Sequence, residues 1–129
     1  MNIPENLFYT KEHEWAKIEG DEALFGITDY AQSQLSDLVY LNLPEVGTQV
    51  KQFEPYGAVE AVKAASDIYA PLSGQIIAVN EAVKGDPGIV NRDPYGEGWL
   101  VRVKLSNPDE KANLMTGSEY SAYLATLEH

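Results

Sequence analysis

The chain has 129 residues, 44% of them apolar, with no cysteine and a formal charge of −11 from 20 acids against nine basic residues. That length and apolar share suit one domain, 1–129, with a core of its own. Missing thiols exclude a disulfide framework, zinc thiolates and a cysteine nucleophile, and the acidic excess disfavours nucleic acid and anionic lipid, whose phosphates bind clustered lysine and arginine.

The opening residues Met1-Asn2-Ile3-Pro4-Glu5-Asn6 carry neither a basic n-region nor an arginine-rich amphipathic pattern. No apolar run approaches membrane-spanning length, so a cytoplasmic protein with no membrane partner is expected. Short alternating segments then predict strands over 14–18, 22–27, 38–43, 57–62, 67–70, 75–80 and 99–105, bounded by Gly, Pro, Asn and Asp. Turn signals fall at Glu19-Gly20-Asp21, Pro44-Glu45-Val46-Gly47, Glu54-Pro55-Tyr56-Gly57, Gly85-Asp86-Pro87-Gly88 and Asp93-Pro94-Tyr95-Gly96.

Between the second and third of these strands, Thr28 or Asp29 can cap a short helix through Ala31 and Leu35. Asn107-Pro108-Asp109-Glu110 joins a cap, a proline and an acid in helix-opening order. Thr116-Gly117-Ser118-Glu119 forms a capping box, followed by Tyr120, Tyr123, Leu124 and Leu127 at helical spacing. The prediction is a β region over 1–105 and a helical pair over 106–129.

A weak internal echo runs through the middle: Val46-Gly47-Thr48-Gln49-Val50 before Gly57 resembles Leu72-Ser73-Gly74-Gln75-Ile76 before Gly85. Lys63 lies between the two copies and is the sole cation between Gln52 and Val83. An exposed amine with a pKa near 10.4 is protonated and a poor nucleophile at neutral pH. Acylation by another enzyme, leaving an uncharged tether on a hairpin tip turned by Ala64-Ala65-Ser66, is one reading of this isolation. An ordinary surface lysine is the plain alternative.

Other chemistry finds little support. Glu60, Asp67 and Glu14 lack the aromatic sugar cleft that a carboxylate pair would need for glycoside hydrolysis. His13-Glu14-Trp15 lacks the second histidine of a zincin helix, and His129 lies at the far end of the chain, so no metal site is expected. Gly96-Glu97-Gly98 is not preceded by a strand and followed by a helix, and reads as a turn. No serine sits in a nucleophile elbow, and there is no phosphate-cradling loop. Catalysis by the chain alone is not expected.

The ordered motifs Tyr9-Thr10-Lys11-Glu12-His13-Glu14-Trp15, Gly26-Ile27-Thr28-Asp29-Tyr30-Ala31-Gln32, Leu41-Asn42-Leu43-Pro44-Glu45-Val46-Gly47 and Asn91-Arg92-Asp93-Pro94-Tyr95-Gly96-Glu97-Gly98-Trp99-Leu100, with the lysine segment, span nearly the whole chain. Together they resemble the H-protein of the glycine cleavage system. The resemblance implies a mainly β, lipoyl-type barrel sandwich over 1–105, with a short capping helix and a C-terminal helical extension. It also implies lipoic acid in amide linkage to Lys63.

In that family a pyridoxal-phosphate glycine decarboxylase loads an aminomethyl group on the arm. A tetrahydrofolate-dependent aminomethyltransferase removes it, and dihydrolipoyl dehydrogenase reoxidises the dithiol. The resemblance makes this chain a carrier rather than an enzyme, with Glu14 and Asp67 expected to hold the loaded arm. Glu60, Gly47 and Gly74 are expected to guide the lipoylating enzymes.

An H-like donor that passes lipoyl groups to 2-oxoacid dehydrogenases is the alternative role. A biotin carrier fits less well, because that family flanks its lysine with methionine and Val62 and Ala64 stand here. Two positions depart from the family pattern: Ser36 replaces a frequent glycine, a change placed to alter the helix C-terminus, and Ala61 replaces a frequent serine. Neither touches the lysine, so both are expected to be tolerated.

Overall fold

The computed structural model describes residues 1–127. Two antiparallel sheets form the body. The larger orders its strands β1 (Phe8–Tyr9), β2 (Glu14–Glu19), β3 (Glu22–Ile27), β9 (Val101–Leu105), β8 (Gly74–Val79) and β5 (Gln49–Val50). The smaller sheet orders β4 (Leu38–Asn42), β6 (Pro55–Ala61) and β7 (Ala65–Tyr69).

Alternation explains how the sheets meet, since successive side chains on a strand point to opposite faces. Ala16, Phe25, Val101 and Val103 from the larger sheet and Leu41, Val59 and Ile68 from the smaller join one buried cluster. Fully burying a side chain of this size stabilises the fold by about 1.5–3 kcal/mol. The sandwich is therefore held by the inward half of each strand.

Where the sequence echoes itself, the chain pairs with itself. Gln49 stands opposite Gln75 and Val50 opposite Gly74 in the β5–β8 ladder, and this pairing closes the base of the long excursion that carries Lys63. Gly74 must lack a side chain there, because a Cβ would run into the Lys104 carbonyl oxygen and the Val103 side chain. Gly47 has φ +98°, a backbone region that favours glycine.

Helix α1 (Asp29–Leu35) begins as its cap predicts, with the Ala31 N–H donating to Thr28 Oγ1 at 3.2 Å. It stops at Ser36, which takes φ 65° and ψ −150°, angles at which a non-glycine residue is strained. Residues 81–92, in which the sequence suggested only a turn, hold α2 (Glu81–Gly85) and α3 (Gly88–Arg92). The Ala82 N–H donates to the Asn80 side chain and so starts α2. Each helix is too short to display a 3.6-residue period.

The predicted C-terminal helical pair needs correction. Pro108–Asn113 is a 3₁₀ turn, and Asn107 makes no capping bond. Glu110 sits in the first turn of that 3₁₀ helix, as its position predicts, and its carboxylate also accepts from Ser73 on the body. Thr116-Gly117-Ser118-Glu119 behaves as predicted: the Glu119 N–H donates to Thr116 Oγ1 at 3.2 Å and the Thr116 N–H to Glu119 Oε1 at 2.8 Å.

Those reciprocal bonds open α4 (Gly117–Leu127). Its Tyr120 ring stacks on Tyr9 at 4.6 Å, in a second buried cluster with Leu7, Trp15 and Leu124. Trp15 covers its cross-strand partner Gly26, where a Cβ would strike the indole.

Candidate functional site

Strands β6 and β7 form a hairpin with Glu60 opposite Ala65 and Val59 opposite Ser66. The Ala61 N–H donates to the Ala64 carbonyl at 2.7 Å, so the turn itself is Val62-Lys63. Ala65 and Ser66, expected in the turn, belong to β7. Lys63 is exposed at the tip. Among the described residues it has no ion pair.

Sheet alternation sorts the acids near it. Val59 and Ile68 face the core, so Glu60 and Asp67 project from the outer face, both exposed. They are diagonal neighbours across the ladder, because Asp67 lies two residues beyond Ala65. Asp67 does not meet Glu14 there.

Glu14 is 2% exposed and bonded by Thr10 and Tyr69. Thr10 Oγ1 donates to Glu14 Oε1 at 2.6 Å and accepts the Glu14 N–H at 3.1 Å. The Tyr69 N–H donates to Glu14 Oε2 at 3.3 Å. Burial pushes the carboxyl up to about 7, outweighing the bonds from Thr10 and Tyr69 that favour its charged form. Strand β7 is an edge of its sheet, and this acid stands at the end of that edge.

A cavity of about 520 Å³ opens at the same point, lined by Tyr9, Thr10, Glu12, Phe53, Tyr69 and Met115 among others. Glu14 lies beside it through Thr10 and Tyr69, whereas Asp67 is outside it. From Lys63 along β7 to Tyr69 the strand covers about 20 Å at ~3.3 Å per residue. Asp67 falls on that path, so the free edge of β7 leads from the lysine past one acid to another.

Two features at this end escaped the sequence reading. Tyr56, placed in a turn, lies in β6 at a bulge, and its buried hydroxyl has no hydrogen-bond partner among the described residues. Gln52, Ser73 and Glu110 form a polar clamp below the hairpin. Ser73 N–H and Oγ–H donate to Glu110 Oε1 and Oε2, each at 2.8 Å. The Gln52 N–H donates to Ser73 Oγ at 2.9 Å, and its side-chain amide to the Pro71 and Glu110 carbonyls at 3.0 Å. No motif announces a contact between residues so far apart in the chain.

His13 is occupied structurally: its Nδ1 lies 2.9 Å from the Tyr120 hydroxyl, which also bonds Thr28 Oγ1 at 2.8 Å. Burial lowers its pKa. Among the described residues no group of three or more His, Asp or Glu side chains is placed to hold a metal ion; His129 lies outside them. No helix among them is long and apolar enough to cross a membrane.

Two antiparallel sheets closed around one core, with a lysine at the tip of a protruding hairpin and a helix packed on the N-terminal strands, make a barrel sandwich of the lipoyl type. The family model described as Glycine cleavage H-protein matches residues 7–127. The glycine cleavage system H protein of Halothermothrix orenii is 48% identical over 99% of this chain and 100% of its own length. That of Rubrobacter xylanophilus is 52% identical over 95% of this chain and 94% of its own. A crystal structure of the H protein from Mycobacterium marinum superposes with a TM-score of 0.85 at 42% identity, covering 95% of this chain and 99% of that one. The chain belongs to the glycine cleavage H-protein family.

Proposed function

We propose that Lys63 is the lipoyl attachment point and that the chain carries the aminomethyl group of glycine between enzymes. The partners are the pyridoxal-phosphate decarboxylase, the tetrahydrofolate-dependent aminomethyltransferase and dihydrolipoyl dehydrogenase. The observation that carries this reading is the placement of Lys63, exposed and without an ion pair among the described residues, on a two-residue hairpin turn in a chain of this family.

The residues present suit an acyl arm, since amide formation removes a charge that no described carboxylate neutralises. When bound, that group supplies the disulfide that this cysteine-free chain lacks. The protein's part is to present it to successive active sites without free diffusion, so the chain acts as a shared substrate rather than an enzyme, in the cytoplasm.

Glu14 is the residue best suited to receive a loaded arm. A buried carboxyl held near neutrality gains most from a cation, because the pairing replaces water that the site has already excluded. Asp67, on the route from Lys63, pairs more weakly with the same ammonium because solvent screens it. Glu60 is the recognition residue that a lipoylating enzyme meets directly. Gly47 and Gly74 contribute at a distance by fixing the turn and the close strand packing that aim the hairpin.

Intact-mass measurement of protein from the native host tests the attachment: a lipoyl increment that disappears in Lys63→Ala is expected, and an unmodified lysine there sinks the reading. Glycine-dependent bicarbonate exchange with the decarboxylase separates a glycine carrier from a lipoyl donor to other complexes. Its absence, with lipoyl transfer intact, assigns the donor role.

A further inference from the structure

The hairpin tip has company. Tyr40 on β4 stands opposite Glu60, Leu38 opposite Ala61, and the Val62 N–H donates to the Asp37 carbonyl at 3.2 Å. Strand β4 therefore runs beside the tip, and its outward side chains share one surface with it. Three apolar side chains on that surface are left in water: Val39 and Tyr40 are each 54% exposed and Val62 is 71% exposed. Scattered exposed apolar residues are ordinary, whereas a group of them with a polar rim marks a protein contact. Asp37 and Glu60, both exposed, supply the rim.

We propose that Val39, Tyr40 and Val62 form the docking patch for the enzyme that acylates Lys63. Its complementary face would carry basic side chains around an apolar centre. The inference rests on reading Lys63 as the attachment point.

Geometry favours this partner over those that handle the finished arm. In acylation the Lys63 nitrogen attacks the carbonyl carbon of an activated acyl donor held by the enzyme. The lysine ammonium first gives one proton to a base on the enzyme, which frees the attacking lone pair. The amide C–N bond then forms, the bond from that carbon to the donor's leaving group breaks with its electron pair going to that group, and the nitrogen's second surplus proton passes to the enzyme base. Reacting atoms come within about 3–3.5 Å, so the tip enters the active site and its immediate neighbours are covered. An enzyme working on the far end of the arm meets the chain an arm's length away.

Charge points the same way. Asp37, whose carbonyl accepts the Val62 N–H, and Glu60, three residues before Lys63, are exposed beside the tip of a chain of net charge −11, and such a surface meets a basic rim with faster and more selective encounter. Tyr40, an exposed aromatic directly opposite Glu60, is the anchor of the patch, because a buried aromatic within a polar rim carries a large share of binding energy in such contacts.

Tyr40→Ser and Val62→Ser, in the unlipoylated protein, test the assignment with a purified lipoate–protein ligase, lipoate and ATP. Both positions are exposed, and melting temperatures should match the unsubstituted chain. The KM for the protein should rise about tenfold in each variant, with kcat within about twofold. The same variants, driven to full lipoylation with excess ligase, should be turned over by dihydrolipoyl dehydrogenase at the unsubstituted rate. An unchanged KM overturns the docking patch, as does a defect confined to the dehydrogenase step, which assigns the surface to a different partner. Failure of the unsubstituted chain to be acylated at Lys63 is a separate result that removes the attachment reading and this inference with it.

Discussion

The Glu14 carboxylate accepts the Tyr69 backbone N–H at 3.3 Å, so the free edge of β7 ends on an acid that is 2% exposed. Its carboxyl is pushed up to about 7 from an ordinary 4.5, and the native protein therefore holds this proton more tightly than the unfolded chain does. The associated stability is fully present below pH 4.5 and is lost as pH rises through 7. At about 1.4 kcal/mol per pKa unit the loss is on the order of 3 kcal/mol. Urea unfolding across this range should show the decline, and Glu14→Gln should flatten it; an identical slope in the variant excludes Glu14 as its source.

A carboxyl in that state is a ready partner for a cation. Glu14→Ala should speed release of the loaded aminomethyl group, as formaldehyde and ammonia, several-fold while leaving lipoylation normal. Asp67→Asn should have a smaller effect, because its carboxylate lies in solvent. Equal release from Glu14→Ala and the unsubstituted protein takes Glu14 out of the mechanism.

Ser36 holds φ 65° and ψ −150° at the end of α1, a conformation that costs a non-glycine residue about 1–3 kcal/mol. Ser36→Gly should raise stability by about 1 kcal/mol, less than the full strain because glycine also loosens the unfolded chain. Thermal melting decides this, and a lower midpoint shows that the strain is already relieved by contacts such as the Asn91 side-chain bond to the Ser36 carbonyl.

At Gly74 the sign reverses. A methyl there meets the backbone of β9 and the Val103 side chain, and overpacking of this kind costs about 1–3 kcal/mol. Gly74→Ala should lower the melting midpoint accordingly, and the unfolded fraction should account for any loss of lipoylation. Poor lipoylation of fully folded Gly74→Ala protein would instead give this glycine a direct part in recognition.

Glu110→Ala removes both acceptors of Ser73. Leaving those donors unsatisfied costs about 1–3 kcal/mol, and hydrogen exchange at the Ser73 amide should accelerate more than exchange in β2 or β3. Uniform acceleration would mean that the clamp has no local role.

Strands β2 and β3, the Thr28 cap and the Thr116–Glu119 capping box were legible because each is governed by residues close in sequence. The same holds for the Lys63 hairpin, although its turn lies two residues earlier than the small side chains suggested. The helix start at Pro108 was legible too, with Glu110 in its first turn, but its 3₁₀ form and the bonds from Ser73 to Glu110 were not, because Ser73 lies far away in the sequence. Thr10, in the loop between β1 and β2, is close to Glu14 in sequence, but Tyr69 arrives on β7 from far along the chain, and no local pattern encodes that meeting.

On the proposed role of Lys63, any load on an attached arm enters the fold at the tip of the β6–β7 hairpin. Below the tip the two strands continue through backbone bonds that join Ala70 to Phe53 and Glu54, and then reach Gln52 and Ser73. Their mutual bond resists splaying, while Glu110 and the Asn113 side chain, which donates to Gln52 Oε1 at 2.9 Å, pass the strain into the C-terminal segment. For a lysine used as an attachment point, that segment would be the footing that ties the base of the hairpin to the rest of the fold.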